Sequence, residues 1–457
     1  MASTYLSRTS GTTTNNKIGT FSFWVKFSKK TETSSYEPHI FDSYYSSDNR
    51  SGLKFENQKL LFYSRVGAST QVNVSTNRLF RDTNAWYHIV IAIDMTQATN
   101  TNRLKFYVNG VQETSMDATT YGSQNDTIHH FLGSVNLAIG RYGGNTSVNH
   151  IFDGILSHVH YIDGTAYSAS DFGETDSTTG EWKIKTSPSV TYGNNGFFIL
   201  KDGNSVTDSS SNSNDFSVTA GTLTKTEDCP SNVFCTVNPL ARYSANLNIT
   251  NGNTTVDETG NGWQMASSTL GASTGKWYLE YKITTAGNAN GYHKIGFISD
   301  EAFSSSASHI AESALDGGYA FYCSNGSLEV RTNDAVISGY SKSDLGVNLT
   351  TGSVMCLAID MDNKRAYFRK NADAWIKSAD PVNGTNGLDI SADYTTGKAM
   401  IPAIAIYQGG AGSINFGNGY FGQSAVSSAG TNASGNGIFE YDVPTGYTAL
   451  STKGLNL

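Results

Sequence analysis

The chain has 457 residues, of which 15% are charged, against the roughly 25% usual for soluble proteins, while aromatics reach 12% and glycine fills 46 positions. Seven prolines and no runs of Leu, Ala, Lys or Glu argue against a helix bundle, a coiled coil, collagen or general disorder; Ser, Thr, Asn and Gly recur instead, as turns and strand faces require. With 31 basic against 39 acidic residues, the net charge of −8 argues against nucleic acid as a partner, because phosphate affinity needs a concentrated basic face.

Strand signals begin at once. Residues 20–27 alternate polar and apolar side chains, which puts Phe21, Phe23, Val25 and Phe27 on one face. Residues 60–63 and 71–74 continue the pattern. The run 85–94 is almost continuously apolar, as a central strand covered on both faces would be. Residues 104–108 lead into Asn109-Gly110, a hairpin signal because both residues tolerate positive φ. Residues 135–140 and 154–161 close a first block near Trp182.

Between about Ser187 and Gly252 the texture turns polar and irregular. Phe197, Phe198, Ile199, Phe216 and Phe234 nonetheless need burial, so a bridge with short strands is expected there. A second block of short strands runs from 275–283 through 295–298, 318–322, 354–360, 365–369 and 402–407 to 413–417. Single turns at 168–172 and 311–315 are the helix candidates. Ala92-Ile93-Asp94-Met95 with the strand after it is echoed by Ala358-Ile359-Asp360-Met361 with its own: an apolar strand ends at Asp, turns, and returns as an aromatic strand ending at Asn109 or Asn371. The fold class expected is all-β: two antiparallel β-sandwich (jelly-roll) domains over 1–185 and 246–435, a bridge over 186–245, and a C-terminal tail over 436–457.

The first ten residues lack the apolar centre of a secretory signal, and no stretch approaches 18 apolar residues. Folding in a cytoplasm without membrane insertion is the expectation. Cys229, Cys235, Cys323 and Cys356 are too few for a disulfide framework and are read as free, mostly buried thiols; Cys229 and Cys235, close together around Pro230, could pair.

Particular motifs carry family resemblances. Residues 21–26, Trp86-Tyr87-His88-Ile89-Val90, residues 106–111 and Phe152-Asp153-Gly154-Ile155-Leu156-Ser157 resemble the laminin-G-like, concanavalin-A-like lectin sandwich. Gly275-Lys276-Trp277-Tyr278-Leu279-Glu280, residues 359–368, 402–406 and 414–417 resemble a SPRY domain. Residues 3–9, Tyr161-Ile162-Asp163-Gly164-Thr165-Ala166, residues 171–174, the connector 229–240 and the ending 444–452 resemble virion proteins of tailed phages, especially of marine bacteria. That resemblance implies a place on the virion surface, reached after synthesis in the host cytoplasm. It implies no reaction.

The residues that could carry chemistry are few. Glucan-cleaving enzymes of the concanavalin-A-like fold place carboxylates two apart on one strand, where retention needs a separation of about 5 Å. Glu174-Thr175-Asp176 comes nearest but lies in a turn-rich segment, and Asp360-Met361-Asp362 sits at a strand exit where Asp forms turns. Nucleophile-elbow, P-loop and metalloprotease motifs are missing, so no enzyme and no cofactor are expected.

His158-Val159-His160 would place two imidazoles on one solvated or interface face of a strand, and three chains could then gather six at an axis, the arrangement by which similar phage fibres bind iron. His158 and His160 are therefore the metal candidates, while His129-His130 reads as loop. Tyr44, Tyr45, Tyr121, Tyr142, Tyr292, Tyr340, Tyr407 and Tyr420 stand beside Gly, Ser or Asn in loop-like contexts. Of these, Tyr142, Tyr292, Tyr340 and Tyr407 are the ligand-binding candidates, offering flat apolar area with a polar handle. The resulting expectation is a non-enzymatic phage structural protein, a tail fibre or fibre-associated subunit that binds a host-surface glycan or protein. The alternative is a capsid-exterior decoration; a glycan-processing enzyme and a SPRY adaptor fit less well. Other virion proteins are the expected partners, and family analogy implies a homotrimer.

Overall fold

The alternation in residues 20–27 is realised in the strand Ile18–Phe27 of a computed structural model that describes residues 4–28, 36–144, 150–201, 203–287, 291–301, 307–313, 315, 317–395 and 397–456. The chain divides into two units, Met1–Lys225 and Thr226–Leu457. In the first, an antiparallel six-stranded sheet is ordered Phe197–Ile199, Gly154–Asp163, Ile18–Phe27, Tyr87–Asp94, Leu104–Val108 and Val111–Glu113. Its partner is an eight-stranded sheet that runs from Met116–Thr120 through Ser69–Thr76, Lys59–Val66, Asn49–Glu56, His39–Ser46, Asn136–Ile139 and Tyr5–Thr9 to Ser217–Ala220.

The inner faces meet in one apolar core. Phe21, Phe23, Val25, Phe27, Ile89, Ile91 and Ile93 from one sheet pack against Phe41, Leu53, Phe55, Phe62, Val72 and Val74 from the other. The rings of Phe21 and Phe41 lie 4.8 Å apart and those of Phe27 and Phe55 4.5 Å apart. Burying each such ring is worth about 1.5–3 kcal/mol. Tyr87–Asp94 is covered on its outer side too, where Val90 packs with Ile162, Ala169 and Phe172. Ala169–Asp171 is the single turn expected at 168–172; residue 314 of the other expected turn lies outside the described residues.

The second unit repeats the architecture. A seven-stranded sheet contains Trp263–Ser268, Met400–Tyr407, His293–Ser299, Tyr319–Ser324 and Ser327–Thr332; an eight-stranded one is centred on Ala411–Asn415, Lys276–Thr285, Val354–Asp360 and Arg365–Lys370. Trp277, Leu279, Tyr281, Leu357 and Ile359 pack against Ile295, Phe297, Phe321, Ile404 and Ile406.

The sequence echo has a structural counterpart. Ile18–Phe27, Tyr87–Asp94 and Leu104–Val108 pair in that order, as do Lys276–Thr285, Val354–Asp360 and Arg365–Lys370. Ile18 pairs with Asp94, and Lys276 with Asp360. Met95 N–H donates to Lys17 O, and Met361 N–H to Gly275 O, each carbonyl lying just before the first strand of its trio. Asn109 and Asn371 both adopt positive φ, 48° and 49°. Each side-chain oxygen accepts a 2.8 Å bond from the backbone N–H at or near the start of the middle strand, from His88 and Val354 respectively.

The stretch 186–245 is shared between the units. Phe197–Ile199 pairs with Gly154–Asp163, Ser217–Ala220 pairs with Tyr5–Thr9, and Phe216 enters the first core. From Thr226 onward the chain serves the second unit, with Phe234, Cys235 and Val237 buried there. Residues 436–456 are built in as well: Phe439, Val443 and Tyr447 are buried, and Thr448–Ala449 runs parallel to Lys276–Thr285. All four cysteines are free, and Cys229 and Cys235 are not bonded to each other.

Glu280 ties that C-terminal segment down. Burial pushes its carboxyl up to about 7, while backbone N–H groups of Glu440 (2.9 Å) and Tyr441 (2.8 Å), the Tyr278 hydroxyl and the Asn415 amide all donate to it. Glu280→Gln turns an NH₂ group against those donors. It is expected to cost about 1–3 kcal/mol in urea unfolding of the second unit and to expose residues 436–456 to protease. An unchanged midpoint would show that the carboxylate does not anchor this segment.

Buried imidazoles set the acid limit of the first unit. Trp182 Nε1–H donates to His88 Nδ1 at 2.9 Å, so the neutral ring carries its proton on Nε2, 3.0 Å from Ser22 Oγ. Burial brings His88 and His130 down to about 3, and also lowers His160. These folded values lie below the unfolded value near 6.5, so the unfolded chain binds protons first as pH drops. Stability is full above about pH 6.5 and declines toward about pH 3. Calorimetry of the full chain should show the transition that His130→Phe shifts moving down in temperature with acid, with a shallower slope in that variant. A transition flat with pH down to about 4 would contradict this.

Candidate functional site

The strands that supply Leu53, Phe55, Phe62, Val72 and Val74 to the first core necessarily turn Arg50, Lys54, Tyr63, Arg65 and Asn73 to the opposite face. On that outer face, with Glu37, His39, Tyr142 and His150, they line a cleft of about 490 Å³. Asp42, buried beneath it, accepts from His39 Nδ1 (3.1 Å), the Tyr63 hydroxyl (3.2 Å) and Gly143 N–H (2.9 Å). Gly52, opposite Tyr63, leaves room for this: a Cβ there would meet the Tyr63 ring at 2.8 Å and Asp42 Oδ2 at 2.9 Å.

Aromatic and basic groups interleave along the cleft. Arg50 Nη1 donates to the Tyr142 hydroxyl at 2.5 Å, and its guanidinium lies 5.8 Å from the ring centres of both Tyr63 and Tyr142. Burial raises the Tyr63 hydroxyl well above its usual range, and Asp42 adds to this, so it stays a donor. Lys54 Nζ stands 2.6 Å from Glu37 Oε2 and 3.4 Å from Glu56. Burial opposes ionisation of Glu37, but Lys54 holds its carboxyl below the ordinary value. Glu37, His39 and His150 bring one ligand atom each to within 4.8 Å of one another, a set that could hold a metal ion. The His39 and His150 rings are 6.0 Å apart.

Of the binding candidates singled out from the sequence, Tyr142 lies in this cleft. Glu37, His39 and His150 were missed, since more than a hundred residues separate His150 from the other two; Glu37-Pro38-His39 was the one local signal.

Tyr292 and Tyr407 meet on the outer face of the second unit's seven-stranded sheet, ring centres 5.5 Å apart, with Trp263 within 6.4 and 5.3 Å of them. Lys294 passes beneath, Nζ 4.5 Å from the Trp263 ring and 4.9 Å from that of Tyr322. Its ammonium also sits 2.8 Å from His309 Nδ1, and burial brings its pKa down to about 7. Tyr340 stands against Lys377 instead, 4.8 Å away. Tyr121 is buried in the first core rather than at the surface.

The histidine pair departs from its expected place. The pairing of Gly154–Asp163 with Ile18–Phe27 shifts register between Ser157 and His160, and His158 takes φ 47°. Both rings still lie against Phe198, His158 at 5.8 Å, so the face expected to be solvated is a covered one. His160 is buried, stacked on Phe198 at 3.9 Å, its Nδ1 3.0 Å from the Tyr192 hydroxyl. His158 Nδ1 lies 2.8 Å from Ser157 Oγ. His129 and His130, expected in loop, form a buried turn with Phe131. The carboxylates considered for catalysis hold turns: Asp176 accepts from the N–H groups of Thr178 and Thr179, and Asp360 from those of Asp362 and Asn363.

No protein of curated function matches the sequence. Among solved structures the chain is similar to the SPRY domain of human HERC1, at 16% identity and TM-score 0.30, covering 39% of this chain and 96% of that one. It is also similar to a heptameric SAP-like pentraxin from Limulus polyphemus, at 16% identity and TM-score 0.26, covering 36% and 72%. With the LG1-3 region of the laminin α2 chain it shares 11% identity at TM-score 0.33, covering 90% of this chain and 60% of that one. Residues 1–171, most of the first sandwich, match the laminin-G family model described as the concanavalin A-like lectin/glucanases superfamily.

Proposed function

We propose that the protein is a non-enzymatic, glycan-binding component of a phage virion surface, a tail fibre or fibre-associated subunit whose first sandwich recognises a host-surface sugar in its outer-face cleft. The observation that carries this reading is the cleft on a lectin-type domain. There Tyr63 and Tyr142 offer apolar rings, Arg50 and Lys54 offer donors, and Glu37 offers an acceptor. Sugars present the matching chemistry, since their C–H faces lie against rings while their hydroxyls exchange hydrogen bonds with polar side chains. The Trp263, Tyr292 and Tyr407 group supplies a second surface of similar character. Placement on a virion, and assembly as a homotrimer, rest on the resemblance of the sequence to tailed-phage proteins.

Binding of the full chain to immobilised host-surface polysaccharide tests the reading. Tyr142→Ala and Arg50→Ala are each expected to weaken it about tenfold, or about 1.4 kcal/mol. Equal binding by both variants, or release of sugars from the polysaccharide by the purified protein, would overturn it. Antibody label confined to the icosahedral shell of purified particles would favour capsid decoration over a fibre.

A further inference from the structure

We propose that Glu37, His39 and His150 form a transition-metal site, of the class Zn²⁺ occupies, within the first unit's cleft. Two imidazoles and one carboxylate are the donor set that zinc takes where three protein ligands leave a fourth position open. Calcium and magnesium prefer an all-oxygen shell, so the two nitrogens select against them. The donor atoms lie within 4.8 Å of one another. Ligands at about 2.0–2.1 Å around a tetrahedral ion stand about 3.3 Å apart, so the set closes on an ion by a movement of about 1 Å. Glu37 lies outside the regular strands and His150 in the turn before Ile151, whereas His39 begins a strand.

Three further features point the same way. His39 gives its Nδ1 to Asp42, which leaves Nε2 as the coordinating atom and fixes the ring's orientation, the usual arrangement behind a metal-binding histidine. His150 Nδ1 is shielded from solvent and has no hydrogen-bond partner among the described residues. Lys54, which holds Glu37 at 2.6 Å, has a second carboxylate within reach in Glu56 at 3.4 Å, so the ion can replace it at Glu37 without stranding its charge. The open coordination position would face the cleft, where a sugar hydroxyl or carboxylate could complete the shell.

Calorimetric titration of the chelator-treated full chain with ZnCl₂ tests the site without any glycan, so its failure leaves the glycan reading standing. One ion per chain is expected. His150→Ala and Glu37→Gln should each weaken binding at least tenfold, and Asp42→Asn, which removes the acceptor that orients His39, about 10–100-fold. His150 is half-exposed, and an unchanged melting temperature of the zinc-free His150→Ala variant verifies its fold. Should Asp42→Asn fail to fold, the other two variants decide. Absence of zinc binding by the wild-type chain, or full zinc affinity in folded His150→Ala, would overturn the assignment.

Discussion

Alternation along a pleated strand governs where this protein can place functional side chains. Each sheet commits one face to an apolar core, and the register that buries Leu53, Phe55 and Phe62 leaves Arg50, Lys54 and Tyr63 no other direction than outward. The cleft is thus the complement of the core, residue for residue. In the second unit the register that buries Ile295, Phe321, Ile404 and Ile406 turns Lys294, Tyr322 and Tyr407 to the far side. A slip of one residue in any of these strands would exchange core for site.

Outward does not mean solvated. Lys294 is 3% exposed and Asp42 is fully buried, so an amine and a carboxyl are set beneath a polar surface. Such groups persist when every charge has a partner. Asp42 meets this through His39, Tyr63 and Gly143; Lys294 relies on two ring faces, His309 and the Ile310 carbonyl. The two surfaces differ accordingly: one is organised around a buried carboxyl, the other around a buried amine.

Local pattern made the strands legible and distance hid the site. Phe21 to Phe27, the run through Val90 and the turn at Asn109-Gly110 declare themselves within ten residues, and so does the repeated Asp-Met exit. The division of 186–245 was not readable, because the partners of Phe197–Ile199 and Ser217–Ala220 lie about 40 and 210 residues away in sequence, where composition carries no information. The bulge at His158 left no trace either, since nothing in Ser157-His158-Val159 marks it as a place where the count slips. Tyr142, Tyr292 and Tyr407 could be singled out as ring-bearing loop residues, but their neighbours came from other strands.

The place of Tyr5–Thr9 between two strands made much later has a consequence measured in time. The strands on either side of it, Asn136–Ile139 and Ser217–Ala220, emerge about 130 and 210 residues after it. At roughly 5–20 residues per second, a ribosome takes about 10–40 s to deliver the second of them. Throughout that interval the strand carries unpaired backbone groups on a growing chain, with Leu6 not yet covered. Ser7, Arg8 and Thr9 within the strand keep it polar enough to resist pairing with its equivalents on adjacent ribosomes.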